Sequence, residues 1–234
     1  MKEYLKTLLL KLKYSAQKFF YPPLPANKER FIKPAPLYVS QIADANRSSI
    51  EKEFSEIKDF KAAERFGAKN LEEFSFWAWR SCTLTCLLMI IKTLTKKKPK
   101  IMDLISNGIK KGGYLFWDKN GQLWDLGWKH KEVIQIAKEY SLKAKVIKLT
   151  TIIDLANFIF EDRPTIISLA TLKKDTHSVL LIGVKTNSEG KVKGFYFHDP
   201  QNYKKSGQNT YLSLSKFQKR FANKAIVFQN KLSG

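Results

Sequence analysis

The strongest apolar run in the chain is 82–94, where Leu84, Leu87, Leu88, Met89, Ile90 and Ile91 leave little polar surface. Ser81 just before it is a good N-cap residue, so the pattern predicts a largely buried helix that begins at Cys82. Amphipathic spacing predicts further helices over 50–66, 101–110 and 129–140, the second closed by Gly112-Gly113. After Leu142 the character changes. Residues 144–149 read as a strand and 151–160 as an amphipathic helix. Strands follow over 164–170, 177–184, 194–198, 210–214 and 225–228, with a helix over 215–221 and a turn at 187–190. Helices first and strands afterwards predict an α+β fold, with a helical N-terminal lobe and an antiparallel sheet lobe.

The N-terminus has its own pattern. Leu5, Leu8, Leu9 and Leu12 share one helical face with lysines on the other. Such a helix either packs on the body or lies on an anionic membrane surface. Five prolines between Tyr21 and Pro36 read as an extended linker, which divides the chain into an arm, 1–36, and a domain, 37–234. Lys11 and Lys13 interrupt the leucines, so a secretory core is not expected, and no apolar run is long enough for a spanning helix. The expectation is a cytoplasmic protein.

Charge changes this picture only a little. The 234 residues carry 42 Lys plus Arg against 21 Asp plus Glu, a net charge of +21. That surplus favours anionic polymers, nucleic acid or lipid head groups as weak partners. The lysines are nevertheless spread along the chain without a recognisable binding motif, and the run Lys96, Lys97, Lys98 and Lys100 reads as a solvated turn. The two cysteines, Cys82 and Cys86, lie four apart on one predicted helix, too few and too poorly placed for a disulfide scaffold.

Chemistry concentrates in few places. Cys82 opens its helix directly after Arg80, and helix N–H groups and a nearby cation both favour thiolate. Cys86, one turn deeper among leucines, reads as core. A hairpin symmetric about Ser188 places His177 directly opposite Asp199, while His198 points to the other face. Asp199 can then orient the imidazole while His177 acts as base for a thiol. A zinc site from Cys82, Cys86, His177 and His198 is a competing reading. Trp117, Trp124 and Trp128 either wall a cleft or, more in keeping with such clusters, pack a seam between lobes.

These residues resemble a known family. The run from Cys82 to Met89 looks like the nucleophile helix of the double-glycine leader peptidases that process bacteriocins, and of their stand-alone relatives, a papain-like cysteine peptidase clan. His177-Ser178-Val179 leading to Gly183 is similar to the family's His-x-Val strand, and Phe197-His198-Asp199-Pro200 to its Asp-Pro element. Gly112-Gly113-Tyr114 and Arg163-Pro164 also fit the stand-alone relatives, and Tyr38-Val39-Ser40-Gln41 resembles their opening strand. The resemblance implies a papain-like fold and catalytic Cys82, His177 and Asp199. It also implies that Gln41 donates to the oxyanion, that a peptide or protein is the substrate, and that no cofactor or metal takes part. Two positions depart from the pattern. Thr83 stands where the family has Gly, and Phe76 stands where exporter-borne peptidases carry their Gln, so Gln41 has to come from a distant segment. A catalytically inactive relative that uses the same cleft to bind peptides or an anionic partner is the alternative.

Overall fold

The computed structural model describes residues 5, 7–10, 12–13, 23–119, 122–171 and 176–229. Its elements run β1 (Glu29–Phe31), α1 (Phe60–Phe66), α2 (Leu71–Ala78), α3 (Cys82–Leu94), α4 (Ile101–Lys110), β2 (Tyr114–Lys119), β3 (Gln122–Trp128) and α5 (His130–Glu139). They continue with β4 (Ala144–Lys148), α6 (Ile152–Phe160), β5 (Thr165–Ala170), β6 (Thr176–Thr186), β7 (Val192–His198), α7 (Lys204–Gly207), β8 (Thr210–Ser213), α8 (Leu214–Arg220) and β9 (Phe221–Phe228). This is the expected papain-like α+β arrangement of a helical lobe against an antiparallel sheet.

The sheet order is β4-β9-β5-β6-β7-β8, with every described pairing antiparallel. β6 lies at its centre, and residues 177–184 are buried at odd and even positions alike. Both faces of that strand are therefore covered, which explains why its sequence reads as a continuous apolar run rather than an alternating one. Helix α3 packs on β6, as does α6. Every residue of α3 from Thr83 to Ile91 is buried, so the helix is held by packing on all sides.

Three expectations need correction. The proline-rich stretch is not simply a linker: Glu29–Phe31, free of proline, forms β1 and pairs with Lys185 to Gly183 of β6. It takes over that edge of β6 where β5 has ended at Thr165, opposite Leu181 and so covers backbone that would otherwise be an open edge. The helix expected over 50–66 starts only at Phe60. Asp59 caps it, its carboxylate accepting from the N–H of Ala62 and of Asn46, both at 2.9 Å. At the N-terminus, the described positions between 5 and 13 are helical, but Leu5, Leu8, Leu9 and Leu12 are exposed rather than packed on the body. Lys13 does reach the domain, pairing with Asp154 at 2.7 Å and donating to the Leu149 carbonyl at 3.1 Å. Among the described residues, no single helix is long and apolar enough to cross a membrane.

Gly183 shows why β1 can sit so close. A Cβ there would lie 2.7 Å from the Phe31 ring and 3.0 Å from the Arg30 carbonyl oxygen. Gly183→Ala is expected to lower stability by about 1–3 kcal/mol, the usual range for overpacking, because β1 cannot yield without losing its pairing. Urea unfolding with an unchanged midpoint would contradict this account.

Candidate active site

Cys82, His177 and Asp199 come from three separate elements. Cys82 is the first residue of α3, where the N–H groups of the opening turn have no intrahelical acceptor. Its thiol is half-buried. His177 is the second residue of β6, and Asp199 directly follows β7. The imidazole Nε2 lies 2.6 Å from the Asp199 Oδ1. With Nε2 taken, Nδ1 is the nitrogen left to face Cys82, which lines the same cleft and whose titration is linked to that of His177.

The hairpin register differs from the symmetric one. Leu180 faces His198 and Leu181 faces Phe197, two residues out of the expected alignment, with bulges before Gly183 and Thr186. His177 and Asp199 are therefore not directly opposed. An offset of two preserves the side of the sheet on which each side chain stands, so the carboxylate reaches the imidazole diagonally instead of head-on. The Asp199-Pro200 corner then fixes the carboxylate. Its Oδ1 accepts from the Gln201 N–H at 3.1 Å, and its Oδ2 from the Asn202 amide at 3.0 Å.

The electrostatics follow from this chain of contacts. Burial pushes the Cys82 thiol up, but the hydrogen bond and charge of His177, the Ser178 backbone and the Thr83 hydroxyl outweigh it, and the thiol titrates below its ordinary range. Burial pulls His177 down, and the bonds to Asp199 and Cys82 more than reverse that. Both shifts favour a thiolate–imidazolium pair. Cys86 shows the opposite case, a buried thiol held well above its usual value by desolvation.

The cation beside the thiolate is thus His177, and the expected help from Arg80 does not materialise. Arg80 stacks 4.0 Å over the Phe76 ring and pairs with Asp125 at 2.9 Å. Thr83, which replaces the family's Gly, bonds through its hydroxyl to the Ser178 hydroxyl at 2.8 Å and is buried against β6 rather than raised into the cleft. Gln41 is not on a strand but in the turn that follows 40. Its N–H donates to the Pro200 carbonyl at 2.8 Å, which brings this distant segment to the Asp199 corner, and the Tyr38 hydroxyl donates to the Asp199 carbonyl at 2.9 Å. Gln41 is 1% exposed and its Oε1 has no hydrogen-bond partner.

His198 stands apart. Its Nε2 bonds to the Pro36 carbonyl at 3.1 Å and its Nδ1 accepts from the Asn209 N–H at 3.2 Å, so both nitrogens are engaged away from the cysteines. Among the described residues, no three His, Cys, Asp or Glu side chains converge as metal ligands. That arrangement removes the zinc reading.

Cys82 and His177 lie in a cleft of about 850 Å³, with Phe54, Trp79 and Leu212 among its walls. Trp79 is held by an Nε1–H bond to the Ser55 carbonyl at 2.8 Å, and Phe54 rests against its ring. Sequence reasoning missed these two walls: Phe54 lies in a loop that read as helix, and Trp79 ends α2, which was not expected. Trp128 packs a seam as expected, but between the β2–β3 hairpin and the helices, against Trp77 and with Nε1–H to the Arg80 carbonyl. The side chains of Trp117 and Trp124 lie outside the described residues.

If Asp199 acts through His177, Asp199→Asn should weaken the ion pair while keeping the shape. Replacing a charge-assisted bond by a neutral one costs about 1–1.5 kcal/mol, or roughly tenfold in Cys82 reactivity. The alkaline limb of Cys82 alkylation by iodoacetate, where the imidazolium that attracts this anion loses its proton, should also move to lower pH. An unmoved limb would count against this role.

A thiol at a helix start and a histidine–aspartate pair on a facing sheet define the papain-like class of folds. Within that class the chain belongs to the Peptidase_C39 like family, whose model matches residues 67–227. Among solved structures it is similar to a proposed C39-like peptidase from Bacillus anthracis, with 15% identity, a TM-score of 0.56, and coverage of 88% of this chain and 100% of the other. The peptidase domain of Streptococcus ComA, a bifunctional ABC transporter, aligns at 18% identity and a TM-score of 0.47, over 65% of this chain and 93% of that domain. No significant match occurs among the curated proteins.

Proposed function

We propose that the protein is a cysteine peptidase in which Cys82 is the nucleophile, His177 the acid–base group and Asp199 its orienting carboxylate. One observation carries this reading: His177, bonded to Asp199 at 2.6 Å, lines the same cleft as Cys82. The thiolate adds to the carbonyl carbon of a peptide bond, and the His177 imidazolium gives its proton to the departing amine as the C–N bond breaks. Water then adds to the thioester, His177 taking its proton, and the carboxylic acid leaves as the thiolate is restored. The Gln41 amide and the free N–H of Cys82 at the start of α3 are the candidate oxyanion donors.

The test is digestion of a diverse peptide library, read by mass spectrometry. Discrete cleavage sites should accumulate with the intact protein and vanish once Cys82 is carboxymethylated. A protein whose Cys82 is reactive but which binds library peptides without cutting any would be the inactive, peptide-binding alternative. The Thr83 hydroxyl, bonded to Ser178 at 2.8 Å and 4.0 Å from the Cys82 sulfur, speaks for the active reading because it helps to lower the thiol pKa.

A further inference from the structure

Helix α8 has seven residues and buries Phe217 against Phe195 and Phe221, with ring centroids at 4.6 and 5.4 Å. That anchor fixes which way the rest of the helix faces. Lys216, Lys219 and Arg220, spaced i, i+3 and i+4, stand together on one side of it, and all three line the cleft that holds Cys82 and His177. None of the three pairs with an acidic side chain among the described residues. Arg220 is further prepared: its Nε–H donates to the Ala170 carbonyl at 3.0 Å, which orients the guanidinium and leaves its terminal nitrogens without a partner there. Glu53 also lines the cleft but is engaged by the Gln201 amide.

With a net charge of +21, exposed lysines by themselves mean little in this chain. What sets these apart is convergence. Three cations share a concave space with the nucleophile, beside the apolar walls of Trp79, Phe54 and Leu212. Low-dielectric walls strengthen attraction to an anion, and an oriented guanidinium suits the two oxygens of a carboxylate.

We propose that the α8 side of the cleft is a carboxylate subsite, through which the protein selects acidic peptides. The inference rests on the reading of Cys82 as the nucleophile at this cleft. The carboxylate is supplied either by an Asp or Glu side chain or by a peptide C-terminus, and the chemistry that Lys216, Lys219 and Arg220 recognise is the same.

Thiol-directed probes test this without a known substrate. Iodoacetyl-glutamine α-amide carries no charge, iodoacetyl-glutamate α-amide carries a side-chain carboxylate, and iodoacetyl-glutamine carries a terminal one. At least one anionic probe should alkylate Cys82 about five- to tenfold faster than the neutral probe at low salt, with the lead shrinking as ionic strength rises. The two anionic arms identify the source of the carboxylate. In Lys216→Glu/Lys219→Glu the lead should disappear or reverse, and in Lys216→Gln/Lys219→Gln it should fall part of the way. Each ratio is taken within one protein, so a loss of folded material in a variant divides out. An equal rate for all three probes would overturn the subsite. So would a lead that both double variants and Arg220→Gln all retain, since the His177 imidazolium would then be its source. Failure of the parent reading looks different: the neutral probe itself would react with Cys82 no faster than with an ordinary thiol.

Discussion

Cys82→Ala is expected to abolish peptide cleavage, by a factor of at least about 10³, while leaving the affinity for cleaved peptides close to that of the unaltered protein. The first half follows from covalent catalysis. Removing the nucleophile leaves only oxyanion and binding contributions, which by themselves retain a small part of the rate. The second half follows from the geometry. Cys82 is one half-buried side chain in a cleft of about 850 Å³, so the walls that hold a peptide survive its truncation. Rates on a cleaved library peptide, paired with its affinity for the inert variant, provide the measurement. Cleavage surviving in Cys82→Ala would show that another group, or a contaminant, performs the chemistry. Unchanged binding together with no cleavage even by the unaltered protein would leave a peptide-binding module.

The choice between these outcomes turns on details at the start of α3. Thr83 in place of Gly adds a side chain beside the nucleophile, and a side chain there could block an extended peptide. The hydroxyl bond to Ser178 draws that side chain under the cleft floor, where it ties α3 to β6. The substitution is thus accommodated by the neighbouring strand, whose Ser178 supplies the partner.

Much of this was legible in the sequence, for identifiable reasons. α3, α4 and α6 start and end within a residue of the expected positions because the apolar runs end there; Thr151 caps α6 with a reciprocal bond to Asp154, whereas Ser81, expected to cap α3, makes no cap bond and donates to the Ala78 carbonyl instead. The strands of the C-terminal half stood out as short apolar runs between turns. α2 was missed even though Asn70 caps it, accepting from the Glu73 N–H at 2.8 Å. Its eight residues are rich in aromatics, which lend themselves equally to strands. β1 was hidden between prolines, and nothing local indicates that Glu29–Phe31 will find the far half of β6.

The site divides the same way. Cys82, His177 and Asp199 were visible because cysteine and histidine are scarce and each sits at a recognisable element boundary. The two-residue error in hairpin register was harmless only because it was even; a shift of one would have sent Asp199 to the other face. The walls were not legible. Phe54, in a loop where it adopts a positive φ of 66°, meets Trp79 at the end of α2, and α8 joins them from far along the chain. No short-range pattern encodes such a meeting.

The pH dependence of Cys82 alkylation separates an assembled site from three neighbouring side chains. The unaltered protein should react with iodoacetate, whose anion the imidazolium attracts, over a plateau bounded by two limbs. On the acid side reactivity falls as the thiolate is protonated, at a pH below that of an ordinary thiol because His177, with Ser178 and Thr83, depresses the Cys82 pKa. On the alkaline side the imidazolium loses its proton, later than a free histidine would, because Asp199 and Cys82 raise its pKa. The pair therefore exists between those limbs and is lost on either side of them. His177→Ala removes the hydrogen bond and the charge together and leaves burial, which pushes the thiol up. Every unit that the pKa rises lowers the thiolate fraction about tenfold at a pH below it. The acid limb should then move above that of an ordinary thiol, and the rate near pH 6 should fall by tenfold or more. Cys86, buried and desolvated, should stay slow in both proteins. If the acid limb keeps its place without His177, the helix start alone sets the thiol's reactivity, and the imidazole has no part in activating Cys82.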